Sequence, residues 1–258
     1  MLVIGGRPGI GKTAYSSCLL RGILKNNDIS DLAILDFNWE MSAKVLLLRD
    51  LSADSNMSYK DIISAGGNKV SDEAYSIYKK TLEEYSKLPI YFEEEPKTSK
   101  EFGDTIKRKR DVLKDKKIIV RLDHSILGRK GASESNQVEM LQNLLFEATI
   151  LKKQSDIIFI ILTQLNRECE DRQESGTSRA FLRQSDCYGG DAVAQHAESV
   201  ILLNRPSKYN ITYYGDSPNG IACGKDDLFG HIVKARNSEP DLILHYKTQF
   251  EYMKMNEV

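Results

Sequence analysis

Gly6-Arg7-Pro8-Gly9-Ile10-Gly11-Lys12-Thr13, close to the start of the chain, fills every fixed position of the phosphate-binding pattern G-x-x-x-x-G-K-[ST]. Apolar residues 2–4 precede this loop as a buried strand would, and residues 14–24 read as a helix. Glycines let successive N–H groups turn inward around phosphate oxygens at a helix N-terminus. The stretch therefore predicts a strand–loop–helix unit that binds a nucleotide. The alternative is a glycine-rich turn that binds nothing.

The loop also supplies the expected contacts to the nucleotide. The Lys12 ammonium is expected to reach the β- and γ-phosphates, and the Thr13 hydroxyl is expected to hold Mg²⁺. ATP and Mg²⁺ are therefore the expected cofactors. The predicted nucleotide-binding residues are Gly6, Arg7, Pro8, Gly9, Ile10, Gly11, Lys12, Thr13 and Ala14.

The composition is that of a folded protein without a membrane or disulfide signature. Of the 258 residues, 41% are hydrophobic and 28% charged, which is enough for a core. The net charge of −1 gives no argument for nucleic acid, so any such surface must be local. The four cysteines form no C-x-x-C pair, and we expect reduced thiols. Without a membrane-length apolar run or a secretion signal, we expect a cytoplasmic protein with no membrane partner.

Apolar strands alternate with amphipathic helices along the sequence. Beyond the first unit, the predicted strands are residues 32–37, 88–92, 117–122, 157–162 and 199–203, and two of the predicted helices are 42–51 and 137–152. Such alternation predicts βαβ units and a mainly parallel sheet. Near the C-terminus, residues 231–235 and 242–246 flank the turn-rich 237–240. They predict an antiparallel hairpin that closes one edge of the sheet.

Two further helices have start signals, and two segments lack periodicity. Ser71 and Ser99 each precede a helical pattern as N-cap residues would. The apolar stripe predicted after Ser71 is Ala74, Ile77, Tyr78, Leu82 and Tyr85. The polar, glycine-containing segments 128–136 and 168–190 are predicted to be mobile loops.

Hydrolysis requires a carboxylate for the metal, a general base and a contact to the γ-phosphate. Asp123 ends an apolar strand and is expected to serve Mg²⁺ together with Thr13, although the charged Arg121 interrupts that strand. Glu40 and Gln164 each stand where a strand stops, at the edge where open α/β sheets bind ligands. The alternatives are a turn-starting aspartate, a solvated loop glutamate and a strand-end hydrogen bond.

Taken together and in order, these segments resemble the ATPase domain of DnaB-type replicative helicases, the hexameric group that includes the phage and mitochondrial primase-helicases. The matching segments are GGRPGIGKTA (5–14), FNWEMS (37–42), LPIYF (88–92), LDHSIL (122–127), TQLNRECEDR (163–172), FLRQS (181–185), AVAQHAESVILLNR (192–205), KARN (234–237) and TQF (248–250). The resemblance implies an α/β, RecA-like P-loop NTPase fold. Its mainly parallel central sheet would be flanked by helices and would end in the antiparallel hairpin.

The resemblance also implies catalytic roles. Lys12 would bind the phosphates, Glu40 would activate water, and Gln164 would sense the γ-phosphate. Lys234 and Arg236 would reach the nucleotide of the adjacent subunit as finger residues, which implies a homo-oligomeric ring, a hexamer. On their own, a Lys and an Arg two residues apart on a strand are usually one solvated face.

The two aperiodic segments match the DNA-binding loops of these helicases, so the resemblance implies single-stranded DNA as a partner, contacted at its backbone. A primase or a loader is implied as a further partner. The implied DNA-binding residues are Arg129, Lys130, Arg172, Arg179 and Arg183. The alternative for each of these cations is plain solubility.

The chain resembles only the ATPase part of these helicases. We therefore expect a single RecA-like domain over residues 1–258, without the family's N-terminal domain and linker helix. Ser238 stands where the family has Gly, and Arg121 is unusual in the metal strand. The expected function is the ATP-driven motor of a replicative helicase on single-stranded DNA. The alternatives are an ATPase that remodels nucleoprotein without unwinding, and a non-catalytic DNA-binding or assembly protein with a structural nucleotide.

Overall fold

The chain is described over residues 1–63, 71–174, 181–215, 220–240 and 242–258 in a computed structural model. The strands within these ranges are β1 (Leu2–Gly6), β2 (Leu32–Asn38), β3 (Ile90–Glu93), β4 (Lys117–Asp123), β5 (Ile158–Gln164), β6 (Ser199–Asn204), β7 (Tyr213–Tyr214), β8 (Ile221–Ala222), β9 (Asp227–Ala235), β10 (Leu242–Gln249) and β11 (Lys254–Glu257). The helices are α1 (Lys12–Asn26), α2 (Ala43–Ser55), α3 (Tyr59–Ile63), α4 (Asp72–Tyr85), α5 (Ser99–Val112), α6 (Gln137–Ser155), α7 (Glu168–Glu174) and α8 (Gly190–His196).

One sheet has the strand order β11-β10-β9-β6-β1-β5-β4-β2-β3, and β7 and β8 form a separate pair. The strands from β6 to β3 in this order pair in parallel, whereas β9, β10 and β11 are antiparallel to their neighbours. The predicted α/β class with a mainly parallel sheet and a C-terminal hairpin is confirmed. Parallel pairing brings the carboxyl ends of β1, β2, β4 and β5 to one edge, where a ligand can meet all four.

The core lies in two layers, one on each face of the sheet. Because side chains alternate along a strand, neighbours such as Ile34 and Leu35 enter different layers. One layer includes Leu20 and Leu24 of α1, and the other includes Phe102 of α5 and residues of α6 and α8. Among the helices that the structure describes, none combines the length and the apolar composition needed to cross a bilayer.

The two predicted helix caps have different outcomes. Ser71 is confirmed, because its Oγ accepts a hydrogen bond from the Ala74 N–H at 3.2 Å. Ser99 is the wrong cap residue for α5, since Thr98 has that position. Thr98 and Glu101 each bond the backbone N–H of the other, which is a reciprocal capping box. The spacing of Thr98 and Glu101, three residues apart, was therefore the better signal for the start of α5.

The predicted inward stripe of α4 is wrong for Ile77 and Leu82, which are exposed. Thr81 is buried instead, and its hydroxyl donates to the carbonyl of Ile77. The side chain of Tyr85 reaches α2, where its hydroxyl donates to Asp54 at 2.5 Å. The stripe prediction failed because it counted apolar residues only, whereas a threonine can be buried when its own helix satisfies its hydroxyl.

The predicted C-terminal hairpin is present as β9 and β10, but it does not form the edge of the sheet. The outer strand is β11, which begins after a residue with positive φ, Met253, and pairs Lys254 with Gln249. Its sequence Lys-Met-Asn-Glu contains no apolar run, and periodicity therefore gave no signal for it.

Asp227 connects the two strands of this hairpin. Its buried carboxylate, 1% exposed, accepts hydrogen bonds from the Gly224 N–H at 2.7 Å and His245 Nε2 at 2.5 Å, and lies 2.6 Å from Lys247 Nζ. Burial alone would raise the pKa of Asp227, but these partners lower it to about 2. The carboxylate is thus held in its charged form.

Asp227→Asn is expected to lower the free energy of unfolding at neutral pH by about 2 kcal/mol. The pKa of Asp227 is lower in the folded chain than in the unfolded chain, so this stabilisation is fully present above the unfolded pKa. It is lost as the pH falls through the folded value of about 2. Denaturant unfolding of both proteins across this range should show their difference shrinking. The exposed neighbour Asp226 supplies the control, Asp226→Asn, and a difference that does not change with pH would contradict the prediction.

Candidate nucleotide-binding site

The predicted phosphate loop connects the end of β1 to the start of α1, as its pattern requires. Gly9 and Gly11 have φ values of 70° and 113°, in the left-handed region that side chains other than glycine rarely adopt. A Cβ atom on Gly11 would also lie 2.9 Å from the ring of Phe250. Glycine is therefore required at Gly11 both by the backbone conformation and by the close approach of an aromatic ring.

Lys12 lies in the loop with its ammonium directed at backbone carbonyls. Its Nζ donates to the carbonyl of Gly6 at 2.9 Å and to that of Arg7 at 3.3 Å, and the residue is 8% exposed. Burial lowers the pKa of Lys12, while the nearby charges of Asp123 and Glu40 act to raise it. The ammonium is thus positioned at the mouth of the loop by weak partners, which a phosphate oxygen can replace.

Thr13 and Asp123 are brought together as the sequence predicts. The Thr13 hydroxyl donates to Asp123 Oδ2 at 2.6 Å. Burial raises the pKa of Asp123, whereas the Thr13 hydrogen bond and the charge of Arg121 lower it. Asp123 Oδ1 is buried and has no hydrogen-bond partner among the described residues. An unsatisfied carboxylate oxygen beside a hydroxyl is the kind of donor set that Mg²⁺ accepts, so these residues fit the ion.

Glu40, Gln164 and His124 meet beside this pair. Gln164 Nε2 lies 3.1 Å from His124 Nε2, and Glu40 Oε2 lies 3.5 Å from the same ring nitrogen. Burial lowers the pKa of His124, although the charges of Glu40 and Asp123 act to raise it. The sequence predicted Glu40 and Gln164 separately and assigned nothing to His124. The one signal for His124 in the sequence was its position directly after Asp123, the aspartate predicted to serve Mg²⁺.

An open cavity of about 410 Å³ lies in front of the loop. Besides the loop, Glu40 and Gln164, it is lined by Met41, Arg49, Arg205, Phe250 and Met253. The Arg205 guanidinium lies over the Phe250 ring, 4.6 Å from its centroid. Neither residue was predicted for the site, although each ends a segment that resembles the helicase family, residues 192–205 and 248–250. Neither residue has a sequence pattern that indicates a site, and only the fold brings the guanidinium over the ring.

The predicted finger residues lie level with the amino ends of the parallel strands, whereas the loop follows the carboxyl end of β1. Ala235 of β9 pairs with Ser199, at the start of β6, and Ser199 also pairs with Leu2, at the start of β1. The phosphate loop follows the other end of β1, roughly 13 Å further on at strand geometry. Lys234 is half-buried, and the exposed Arg236 begins the hairpin turn. Neither residue meets the cavity of its own chain.

Four of the five predicted DNA-binding cations lie within the described residues, on two segments after β4 and β5. Arg129 forms an ion pair with Glu101 at 2.7 Å, and Lys130 donates to the carbonyl of Ser135 at 3.4 Å. Arg183 is exposed, and Arg179 lies outside the described residues. Residues 128–136 are irregular, as expected.

The prediction of a loop over residues 168–190 is partly wrong, because α7 lies within it; residues 175–180 lie outside the described residues. Arg172 on this helix lies 2.5 Å from the carboxylate of Asp186. Arg7 of the phosphate loop reaches the same helix, where it lies 2.8 Å from Glu170 and donates to the carbonyl of Leu165. A short acidic helix that is held by Arg7 and by the contact of its own Arg172 with Asp186 has no periodicity for a sequence to reveal.

The chain is similar to proteins of known family. The sequence model of one protein family, the DnaB-like helicase C-terminal domain, matches residues 1–254. The replicative DNA helicase DnaB of Mycobacterium intracellulare is 29% identical over 208 residues, which cover 80% of this chain and 33% of that protein. The DnaB helicase of Geobacillus stearothermophilus is 24% identical, over 81% of this chain and 44% of that protein. The chain thus spans less than half the length of either relative.

Two solved structures share the fold. One is described as an ATPase domain, with a TM-score of 0.84 and 19% identity over 100% of this chain and 84% of the other. The second is a DnaB-like replicative helicase described with its interactions with primase. Its TM-score is 0.83, at 19% identity over 99% of this chain and 56% of the other.

Proposed function

Because the chain belongs to the DnaB-like helicase C-terminal domain family, we propose that it hydrolyses Mg²⁺-ATP between neighbouring copies and thereby moves along single-stranded DNA. One observation carries the proposal. Three separate segments of the chain meet at the carboxyl ends of the strands: Lys12 and Thr13 of the loop line one cavity with Glu40, and Thr13 bonds Asp123. A nucleotide that served only as a structural ligand would not require a carboxylate facing the reacting phosphate.

The phosphate loop and the metal pair bind the triphosphate. Lys12 exchanges its carbonyl partners for β- and γ-phosphate oxygens, and the N–H groups at the start of α1 face the same phosphates. Thr13 and Asp123 hold Mg²⁺ through the hydroxyl and the buried carboxylate. When bound, the ion neutralises charge that develops on the phosphate oxygens.

Glu40 is the general base, and its neighbours connect it to the phosphate. Its half-exposed carboxylate takes the proton of the attacking water. The His124 ring nitrogen Nε2 contacts Gln164 and lies 3.5 Å from Glu40. The ring thereby couples the position of the general base to that of the amide that contacts the γ-phosphate. Arg205 and Phe250 offer a stacked cation and ring next to Gly11, which suits the flat face of a nucleobase.

The placement of the fingers supports the proposed assembly. Lys234 and Arg236 lie too far from their own loop to serve it, so we assign them to the site of the adjacent copy in a homo-oligomeric ring. Single-stranded DNA is the proposed track, bound through its backbone by Arg129, Lys130, Arg172, Arg179 and Arg183. A primase is a proposed partner because one structural relative is described with its primase interactions. The proposed location is the cytoplasm.

ATP turnover measured with and without a single-stranded oligonucleotide tests the proposal. We expect single strands to stimulate turnover several-fold, and the stimulation to weaken with salt because phosphate contacts release counterions. A duplex of the same composition is the control, and a forked duplex then reports unwinding. Turnover that single strands leave unchanged would contradict the role on DNA. Absence of turnover under every condition would contradict the whole proposal.

A further inference from the structure

Arg121 is a charged side chain in the middle of the sheet. It lies on β4 directly opposite Asp36 of β2, and both side chains are 2% exposed. Arg121 Nε donates to Asp36 Oδ1 at 2.7 Å, and Nη2 donates to Oδ2 at 2.5 Å. The guanidinium and the carboxylate thus meet in a two-pronged geometry that fixes their relative orientation.

The remaining nitrogen of the guanidinium reaches the helix that follows the phosphate loop. Arg121 Nη1 donates to the hydroxyl of Ser17 at 2.8 Å and to that of Ser16 at 3.3 Å. The Ser16 hydroxyl in turn donates to the carbonyl of Thr13 at 3.0 Å. One side chain therefore joins β2, β4 and the second turn of α1, and all of these groups are removed from water.

The same face of β4 carries Asp123 two residues later, because side chains alternate along a strand. Asp123 and Thr13 are joined directly by only one described hydrogen bond, of 2.6 Å. That bond joins the hydroxyl and the carboxylate that we assign to Mg²⁺. Once both groups face the ion, this bond no longer holds α1 to β4. The contacts that remain are the apolar packing of Leu20 and Leu24 in the layer of Ile119 and the hydrogen bonds of Arg121, which lie nearer to Thr13 in the helix.

We propose that Arg121, together with Asp36, is a positioning residue for the metal-binding pair, holding α1 against β4 so that Thr13 stays beside Asp123. The inference rests on the proposed function. Stability alone is a poor reason for the pair, since buried ion pairs are often no better for stability than apolar residues of similar volume. Apolar side chains occupy the same face of these strands at Ile34 and Ile119.

The test compares the affinity for ATP in Mg²⁺ and in EDTA, by calorimetry on the full chain. The variant carries Asp36→Asn with Arg121→Gln, which removes both charges and keeps the shapes. We expect its affinity in EDTA to stay near that of the unsubstituted protein. The gain in affinity that Mg²⁺ brings should fall by roughly 10–100-fold, as for other residues that orient metal ligands.

A second arginine–aspartate pair supplies the matched control. Arg21, further along α1, lies 2.5 Å from Asp50 of α2. Arg21→Gln with Asp50→Asn should lower the melting temperature while leaving the Mg²⁺-dependent gain intact. If the Asp36/Arg121 variant does not fold, Ser16→Ala with Ser17→Ala decides the question, because it removes only the link to α1.

The outcomes separate the two proposals. A lost Mg²⁺ gain with ATP still bound in EDTA supports the positioning role. An unchanged gain, in whichever of the two variants folds, overturns that role and leaves the proposed function standing. If the unsubstituted protein binds ATP neither with Mg²⁺ nor without it, the proposed function falls and the positioning role falls with it.

Discussion

Lys12→Ala is expected to lower ATP turnover by about 10³-fold or more while the chain remains folded. The ammonium lies at the mouth of the loop, where it meets the developing charge on the phosphates. Its present partners are two carbonyls of the loop, which water can satisfy when the side chain is removed. The fold should therefore survive. Turnover at saturating Mg²⁺-ATP and thermal unfolding of the same samples measure the two effects.

Lys25→Ala is the matched control, since Lys25 is an exposed lysine in the last turn of the same helix. It should leave turnover near that of the unsubstituted protein. If Lys12→Ala keeps turnover within about twofold, the loop is not the catalytic phosphate site.

Arg236→Ala is expected to lower turnover by about 10³–10⁵-fold, the range that finger residues supply in phosphoryl transfer. The affinity of an isolated chain for ATP should not change, because Arg236 lies at the far end of the strands from its own loop. Titration of nucleotide binding beside turnover separates the two effects. Asn237→Ala, in the same turn, controls for changes in hairpin shape.

Mixing the two inactive proteins tests whether the finger acts in trans. A contact that joins the intact loop of an Arg236→Ala chain to the intact finger of a Lys12→Ala chain should be active. In a random mixture about a quarter of the contacts have this composition. Recovery of activity to that order is the expected result, and a mixture as inactive as its components would place the finger elsewhere.

The sequence predicted best what local rules determine. The glycines, Lys12 and Thr13 follow from the conformation of a single loop, and Asp123 follows from the end of an apolar strand. Their meeting with Glu40 and Gln164 follows from parallel strand order, which alternation of strands and helices indicates. These inferences needed no knowledge of long-range side-chain contacts.

Contacts between distant segments could not be read in the same way. Arg121 looked like an interruption of its strand, and only the register of β4 against β2 shows that Asp36 is its partner. The stacking of Arg205 on Phe250 likewise depends on where β10 ends relative to the loop. Helix α7 and strand β11 are short and polar, so they depend on tertiary contacts that no window of sequence contains.

The hairpin turn that carries Arg236 and the phosphate loop lie at opposite ends of the strands of one sheet, and this restricts how copies can associate. In a dimer with a two-fold axis, each copy would give its arginine and receive one through the same patch of surface, and that patch would have to span the sheet from the loop to the hairpin turn. An arrangement in which the hairpin turn of one copy meets the loop of the next is head-to-tail. The rotation from one copy to the next then decides between a closed ring and an open helical filament. The number of copies in a closed ring is therefore set by the rotation angle between neighbouring copies.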